Sequence, residues 1–173
     1  MPTFYTVDRL STLSTGSVLP RVNMTPGSEP YRSTLARLHP TGISKHGERY
    51  LYNPESTFQN NESAIELYFE EVRKNKFSDV PSRFESIFCC ETKDEALTMR
   101  GFLGKPNAPI YEIEADGKWH KANMSLLTSA GSALIMPYRA DEYWNGNTGH
   151  EGVDETLWEI IVELPARVGN RIA

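Results

Sequence analysis

Cysteine is almost absent: the 173 residues hold two, Cys89 and Cys90, side by side. Neighbouring thiols build no disulfide framework, so a reducing compartment is expected. Long apolar runs are missing as well, and nothing approaches the roughly 20 residues that cross a bilayer. The opening MPTFYTVDRL lacks a basic head leading into an apolar stretch, so no secretory signal is expected. Positive charge is in deficit. With 18 basic against 23 acidic side chains the formal charge is -5, which disfavours sequence-blind attraction to phosphate backbones. A local basic groove is compatible with that balance, but it favours a protein or small-molecule partner over bulk DNA. Together these absences predict a cytoplasmic protein with no membrane association.

Familiar catalytic signatures are also lacking. His39, His46, His120 and His150 are scattered, none three or four residues from another, so no metal site is expected. There is no Gly-rich phosphate loop and no G-x-S-x-G elbow. Cys89 and Cys90 lie in an apolar segment, where thiols pack rather than react.

What is present reads as one domain, residues 1–173, of α+β class with several antiparallel strands and two main helices. Thr3 to Val7 is β-branched and aromatic, a first strand. Ser17 to Pro30 is rich in turn formers and reads as loop, Tyr31 to Leu38 as a short helix, and Tyr50 to Tyr52 as a short strand. The spacing of Ile65, Leu67, Tyr68, Phe69 and Val72 predicts a helix over 62–75, opened by Asn61, with Glu66, Glu70 and Glu71 on a solvated face. Phe84 to Cys90 reads as a buried strand. Thr92 with Glu95 three residues on is a capping box, and the helix it opens ends near Gly101 or Gly104. Pro109 to Ala115 alternates as a strand, and Asp116-Gly117 predicts a hairpin returning through Lys118 to Lys121. Ser125 to Ser129 and Arg139 to Trp144 read as helical turns, with a short apolar segment at Ala133 to Pro137 between them.

The strongest late segment is Asp154 to Leu164, DETLWEIIVEL. As a strand it places Trp158, Ile160, Val162 and Leu164 on one face and Leu157, Glu159, Ile161 and Glu163 on the other. Glu159 thus stands at a strand start, behind an Asn/Gly-rich loop at 145–149. Two further pieces accompany it. One is the opening strand Phe4-Tyr5-Thr6-Val7 followed by Arg9; the other is Ser82-Arg83-Phe84-Glu85-Ser86-Ile87-Phe88.

In this order the three pieces resemble the mono-ADP-ribosyltransferase superfamily, particularly its small bacterial and phage members. The matching positions are Tyr5-Thr6, Ser86-Ile87-Phe88 and Trp158-Glu159-Ile160-Ile161-Val162, between residues 3 and 163. The resemblance implies an ADP-ribosyltransferase-like fold of mostly antiparallel split sheets. It implies a glycosyltransferase that consumes NAD, releases nicotinamide and labels a macromolecular acceptor, protein or RNA/DNA. Such members serve as toxins or in phage–host conflict and antiphage defence, where an inhibitory or antitoxin partner protein is compatible with the pattern. Thr6 stands where one branch of the family has His, and Arg9 lies past the strand. The family's Glu-x-Glu pair is absent: Glu159 and Glu163 are four residues, about 13 Å, apart along a strand.

On this resemblance, cleavage of the ribose–nicotinamide bond passes through an oxocarbenium-like centre, as in glycoside hydrolysis. Glu159 is the expected catalytic carboxylate, stabilising the growing positive charge. Phe88 is the first candidate for a flat wall against nicotinamide, with Tyr143 or Trp144 as the second. Arg9 or Arg83 would meet the pyrophosphate, and Ser82 and Ser86 the carboxamide or ribose. The alternative from the same residues is a non-enzymatic interaction or immunity module, with Phe84, Phe88 and Trp144 as plain core and the arginines as surface charges.

Overall fold

A computed structural model of the chain describes residues 1–23, 30–52, 62–149 and 156–173. Asn61, His150 and the 154–155 start of the expected late strand lie outside the described residues. Within them the chain is α+β, with seven strands and five α-helices. The strands are β1 (Thr3–Val7), β2 (Val18–Leu19), β3 (Ser86–Cys89), β4 (Ile110–Glu114), β5 (Trp119–Asn123), β6 (Trp158–Glu163) and β7 (Ala166–Arg171). The helices are α1 (Pro30–Leu38), α2 (Lys45–Gly47), α3 (Glu62–Lys76), α4 (Lys93–Phe102) and α5 (Ile135–Trp144).

Two antiparallel sheets form, one in the order β1-β4-β7-β2 and the other β3-β6-β5. They meet where Tyr5 and Cys90 exchange backbone hydrogen bonds of 2.9 and 2.7 Å. Between them lies a core of Phe4, Ile113, Val168, Ile160, Val162 and Leu164. The outer face of the second sheet packs on α3 and α5 through Ile161, Ala122, Phe69, Tyr143 and Trp144. The outer face of the first packs on α4 through Tyr5, Ile110 and Ala96. Period-two alternation explains the arrangement, since β6 sends Ile160 and Val162 to one core and Ile161 to the other.

The capping box holds: Thr92 Oγ1 accepts from Glu95 N at 3.2 Å, and Glu95 Oε2 accepts from Thr92 N at 2.9 Å. Several expectations need correction. Asp116-Gly117 turns the chain but makes no hairpin, because β4 already has both edges taken by β1 and β7. The chain crosses instead to the second sheet, where β5 pairs with β6. Residues 50–52 end a π-helical turn, Glu48–Tyr52, rather than forming a strand. The strand expected from Phe84 begins only at Ser86, because Ser82 caps a 3-10 turn over Arg83–Glu85. The two main helices stand as α3 and α4 and the short helix expected at 31–38 as α1, while the apolar segment at 133–137 joins the 139–144 turn from Ile135 on to make α5, which tolerates Pro137 in its first turn. The 17–30 loop contains β2.

The face of α3 is the most consequential correction. Glu66 and Glu70 are buried, at 6% and 3% exposure, while Glu71 is exposed as expected. On a helix, 66 and 70 fall beside 65 and 69, so they flank the apolar stripe one turn apart. Each is sustained by an arginine: Glu70 by Arg73, Glu66 by Arg83.

Candidate functional site

Glu159 is the second residue of β6 and is 3% exposed, on the face that meets α3 and α5. Its cross-strand partner is Ala122, a small side chain on the same face. The carboxylate meets Arg83, whose Nη1 donates to Glu159 Oε1 at 2.5 Å, and Tyr143, whose hydroxyl donates to the same oxygen at 2.6 Å. Oε2 meets no hydrogen-bond donor among the described residues.

Arg83 is the hub. Its Nε and Nη2 donate to the two oxygens of Glu66 at 2.8 and 2.9 Å, its Nη1 also contacts the Tyr143 hydroxyl, and its guanidinium lies 4.4 Å from the centre of the Phe88 ring. The 3-10 turn before β3 fixes Arg83, and Ser82 fixes the turn by accepting from Phe84 N at 3.2 Å. His46 joins from α2. Its Nε2 stands 3.1 Å from Glu66 Oε1 but makes no well-aligned hydrogen bond, and its ring packs on Phe88 and Tyr50 at 4.7 and 4.6 Å. Gly47 lets α2 approach this closely, since a Cβ there would lie 2.4 Å from the Phe84 carbonyl oxygen.

Burial opposes every charge in this cluster, so the partners decide the balance. Burial alone would raise the Glu66 carboxyl, but the Arg83 guanidinium holds it well below the usual carboxylate range. Burial would lower Arg83, yet Glu159 and Glu66 hold it firmly charged. Burial raises the Tyr143 hydroxyl, which stays protonated and donates. Burial lowers His46 despite Glu66, so the imidazole is neutral near pH 7. One cation thus stands between two carboxylates.

A second cluster of the same kind sits at the far end of β6. Arg21 joins Glu85 at 3.0 Å and Glu163 at 2.9 Å, and His39 Nδ1 lies 2.8 Å from Glu85. Burial would raise Glu85, but the His39 hydrogen bond and Arg21 hold it low.

The predicted site residues divide. Arg83, Phe88, Tyr143 and Glu159 come together. Trp144 is 1% exposed and donates to the Phe69 carbonyl oxygen at 2.8 Å, and Tyr143 is wholly buried, so neither ring presents a face to a ligand. One face of Phe88 is covered by Arg83. Ser86 Oγ donates to the Ser82 carbonyl oxygen at 2.6 Å, and the residue pairs with Glu163 at the opposite end of β6 from Glu159. Thr6 turns its hydroxyl to the Phe88 carbonyl oxygen at 2.8 Å, which ties β1 to β3. Tyr5 faces α4, and Arg9 is exposed beyond β1. Glu66 and His46 were not expected here. For Glu66 the available signal was an acidic side chain bordering an apolar helical stripe; for His46 the sequence carried none. Among the described residues no group of three or more His, Cys, Asp or Glu is placed to hold a metal ion, and no helix is long and apolar enough to cross a membrane.

A family model described as "Protein of unknown function (DUF2441)" matches residues 34–170. The match includes Arg83, Glu66, Tyr143 and Glu159, while β1 precedes it. No curated protein matches the chain. The chain belongs to the DUF2441 family.

Proposed function

We propose that this DUF2441 member is an NAD-dependent mono-ADP-ribosyltransferase on an ADP-ribosyltransferase-like fold, with Glu159 as its catalytic carboxylate. The observation that carries the reading is the state of Glu159: one oxygen clamped by Arg83 and Tyr143, the other without a donor among the described residues. A carboxylate held in this way is preorganised to accept a ribose hydroxyl and to stabilise an oxocarbenium-like centre. The order of the strands supports the reading. The three segments that resemble the family lie on β1, β3 and β6, with β1 bridged to β3 at Tyr5 and Cys90 and β3 paired with β6. NAD is a consumed substrate in this reading, nicotinamide is released, and ADP-ribose passes to a macromolecular acceptor, protein or nucleic acid. A role in toxin action or phage–host conflict follows from the same resemblance.

Incubation with NAD labelled in the adenosine half tests the proposal. Nicotinamide release and label on a macromolecule are expected, and Glu159→Gln is expected to lower release by about 100-fold or more with the fold intact. Equal silence of wild type and variant, with no thermal shift on adding NAD, overturns it.

A second reading has its own observation. Glu159 and Arg83 are 3% and 4% exposed and already paired, as in a stabilising ion cluster. This favours a non-enzymatic interaction or immunity module on the same fold, and the silent outcome of the NAD experiment supports it.

A further inference from the structure

An arginine facing an unshared carboxylate takes it fork to fork, with two parallel N–H···O bonds that engage both oxygens. Glu159 is not held in that way. Arg83 gives its Nε/Nη2 edge to Glu66, at 2.8 and 2.9 Å, and in the position this fixes it reaches Glu159 Oε1 through Nη1 alone. Tyr143 closes on the same oxygen. The four groups come from α3, the turn before β3, α5 and β6, so each is fixed by a different element.

The geometry points to Glu66 as a positioning residue: by holding the Nε/Nη2 edge of Arg83, it fixes the guanidinium where only Nη1 meets Glu159, so that Glu159 is clamped through one oxygen and Oε2 is left for a substrate hydroxyl. This rests on the role proposed for Glu159, although the division of Arg83 between two carboxylates is independent of the substrate. Without the Glu66 charge, the Nε/Nη2 edge loses its ionic partner and the guanidinium is drawn toward the remaining carboxylate, Glu159. A guanidinium swung onto both oxygens would bury the one that reacts.

Glu66→Gln keeps the shape and removes the charge. In this variant kcat for nicotinamide release is expected to fall about 100-fold, with KM for NAD changed less than about threefold. Rescue is the decisive arm. Lysine cannot fork, so adding Arg83→Lys to Glu66→Gln is expected to restore kcat about tenfold over Glu66→Gln alone. A merely structural role predicts the reverse, with the second substitution adding damage. Thermal melts establish that each variant folds. A folded Glu66→Gln with unchanged kcat, or a double variant no better than the single one, overturns the inference.

If the wild type releases no nicotinamide, the dinucleotide reading fails, and the positioning inference is then read by infrared spectroscopy on 13C-glutamate-labelled protein. The Glu159 carboxylate band, assigned by its loss in Glu159→Gln, is expected to shift in Glu66→Gln as engagement passes from one oxygen to two. An unchanged band overturns the inference.

Discussion

The two glutamates on one face of β6 have similar companions and different lives. Glu159 shares Arg83 with Glu66, and His46 stands at Glu66; Glu163 shares Arg21 with Glu85, and His39 stands at Glu85. Each cluster is an arginine between two carboxylates, with a histidine behind one of them. The oxygens separate them. Glu163 uses both, Oε1 accepting from Arg21 and Oε2 from the Lys118 backbone N–H at 3.2 Å, so it is a strut holding β5 to β6. Glu159 uses one oxygen twice, and its other oxygen meets no donor among the described residues. Burial separates them as well: the side chains of Arg83 and Glu159 are 5% and 4% exposed, those of Arg21 and Glu163 14% and 28%. A buried carboxylate with only one oxygen engaged costs more to keep than one with both engaged, so Glu159 depends more on its arginine than Glu163 does.

The largest test of this contrast is removal of each arginine. Arg83→Met strands Glu66 and Glu159 together in a closed interior, and a loss of about 3–5 kcal/mol in urea unfolding is expected. Arg21→Met leaves carboxylates that water still reaches, and about 1 kcal/mol is expected. Equal losses would erase the distinction by burial. Second in size is the paired glutamate experiment on NAD cleavage. Glu159→Gln is expected to cost about 100-fold in nicotinamide release, and Glu163→Gln less than about threefold, with the latter felt instead in stability. If Glu163→Gln were as damaging to release as Glu159→Gln, the two carboxylates would not differ in function.

Much of this was legible in the residues and some was not. The alternation in DETLWEIIVEL correctly put Glu159 and Glu163 on one face and Ile160 and Val162 on the other, because strand geometry is local. The Thr92 capping box and the span of α3 were legible for the same reason. The hairpin at Asp116-Gly117 failed because a turn dipeptide specifies reversal, while the partner strand is set by which edges remain free. The burial of Glu66 was hidden because a charged side chain enters a core only beside a counter-charge, and Arg83 lies 17 residues away in sequence. Arg83 was singled out as a partner for a pyrophosphate, and nothing local indicated that it would face two glutamates.

A smaller effect sharpens how the Glu159 end is held in place. Thr6 Oγ1 donates to the Phe88 carbonyl oxygen from a residue that is 5% exposed, and this bond joins β1 to β3 beside the Tyr5–Cys90 bridge. Thr6→Val preserves shape and β-propensity but removes the donor. About 1 kcal/mol of stability should go, as read by denaturant midpoint at constant slope. If β1 also helps to shape the site, nicotinamide release falls more than the lost stability accounts for; a purely structural tie leaves the folded fraction fully active.

The smallest expected effect concerns protons. Burial holds His46 below its ordinary value, and Glu66 and Glu85 are held low by their partners against burial, so in all three the unfolded chain binds protons more readily than the fold. Stability from such groups is complete above the unfolded value and is lost as pH falls toward the folded one. The His46 share should therefore begin to fade below about pH 6.5, and the carboxylate share only below about pH 4.3. His120, also lowered by burial, acts in the upper window too, so His46→Gln should shrink that first step without removing it. Melts of wild type and His46→Gln between pH 7 and 5.5 should differ in slope by about 1 kcal/mol per pH unit or less. An identical slope would mean that proton uptake at His46 does not oppose the fold.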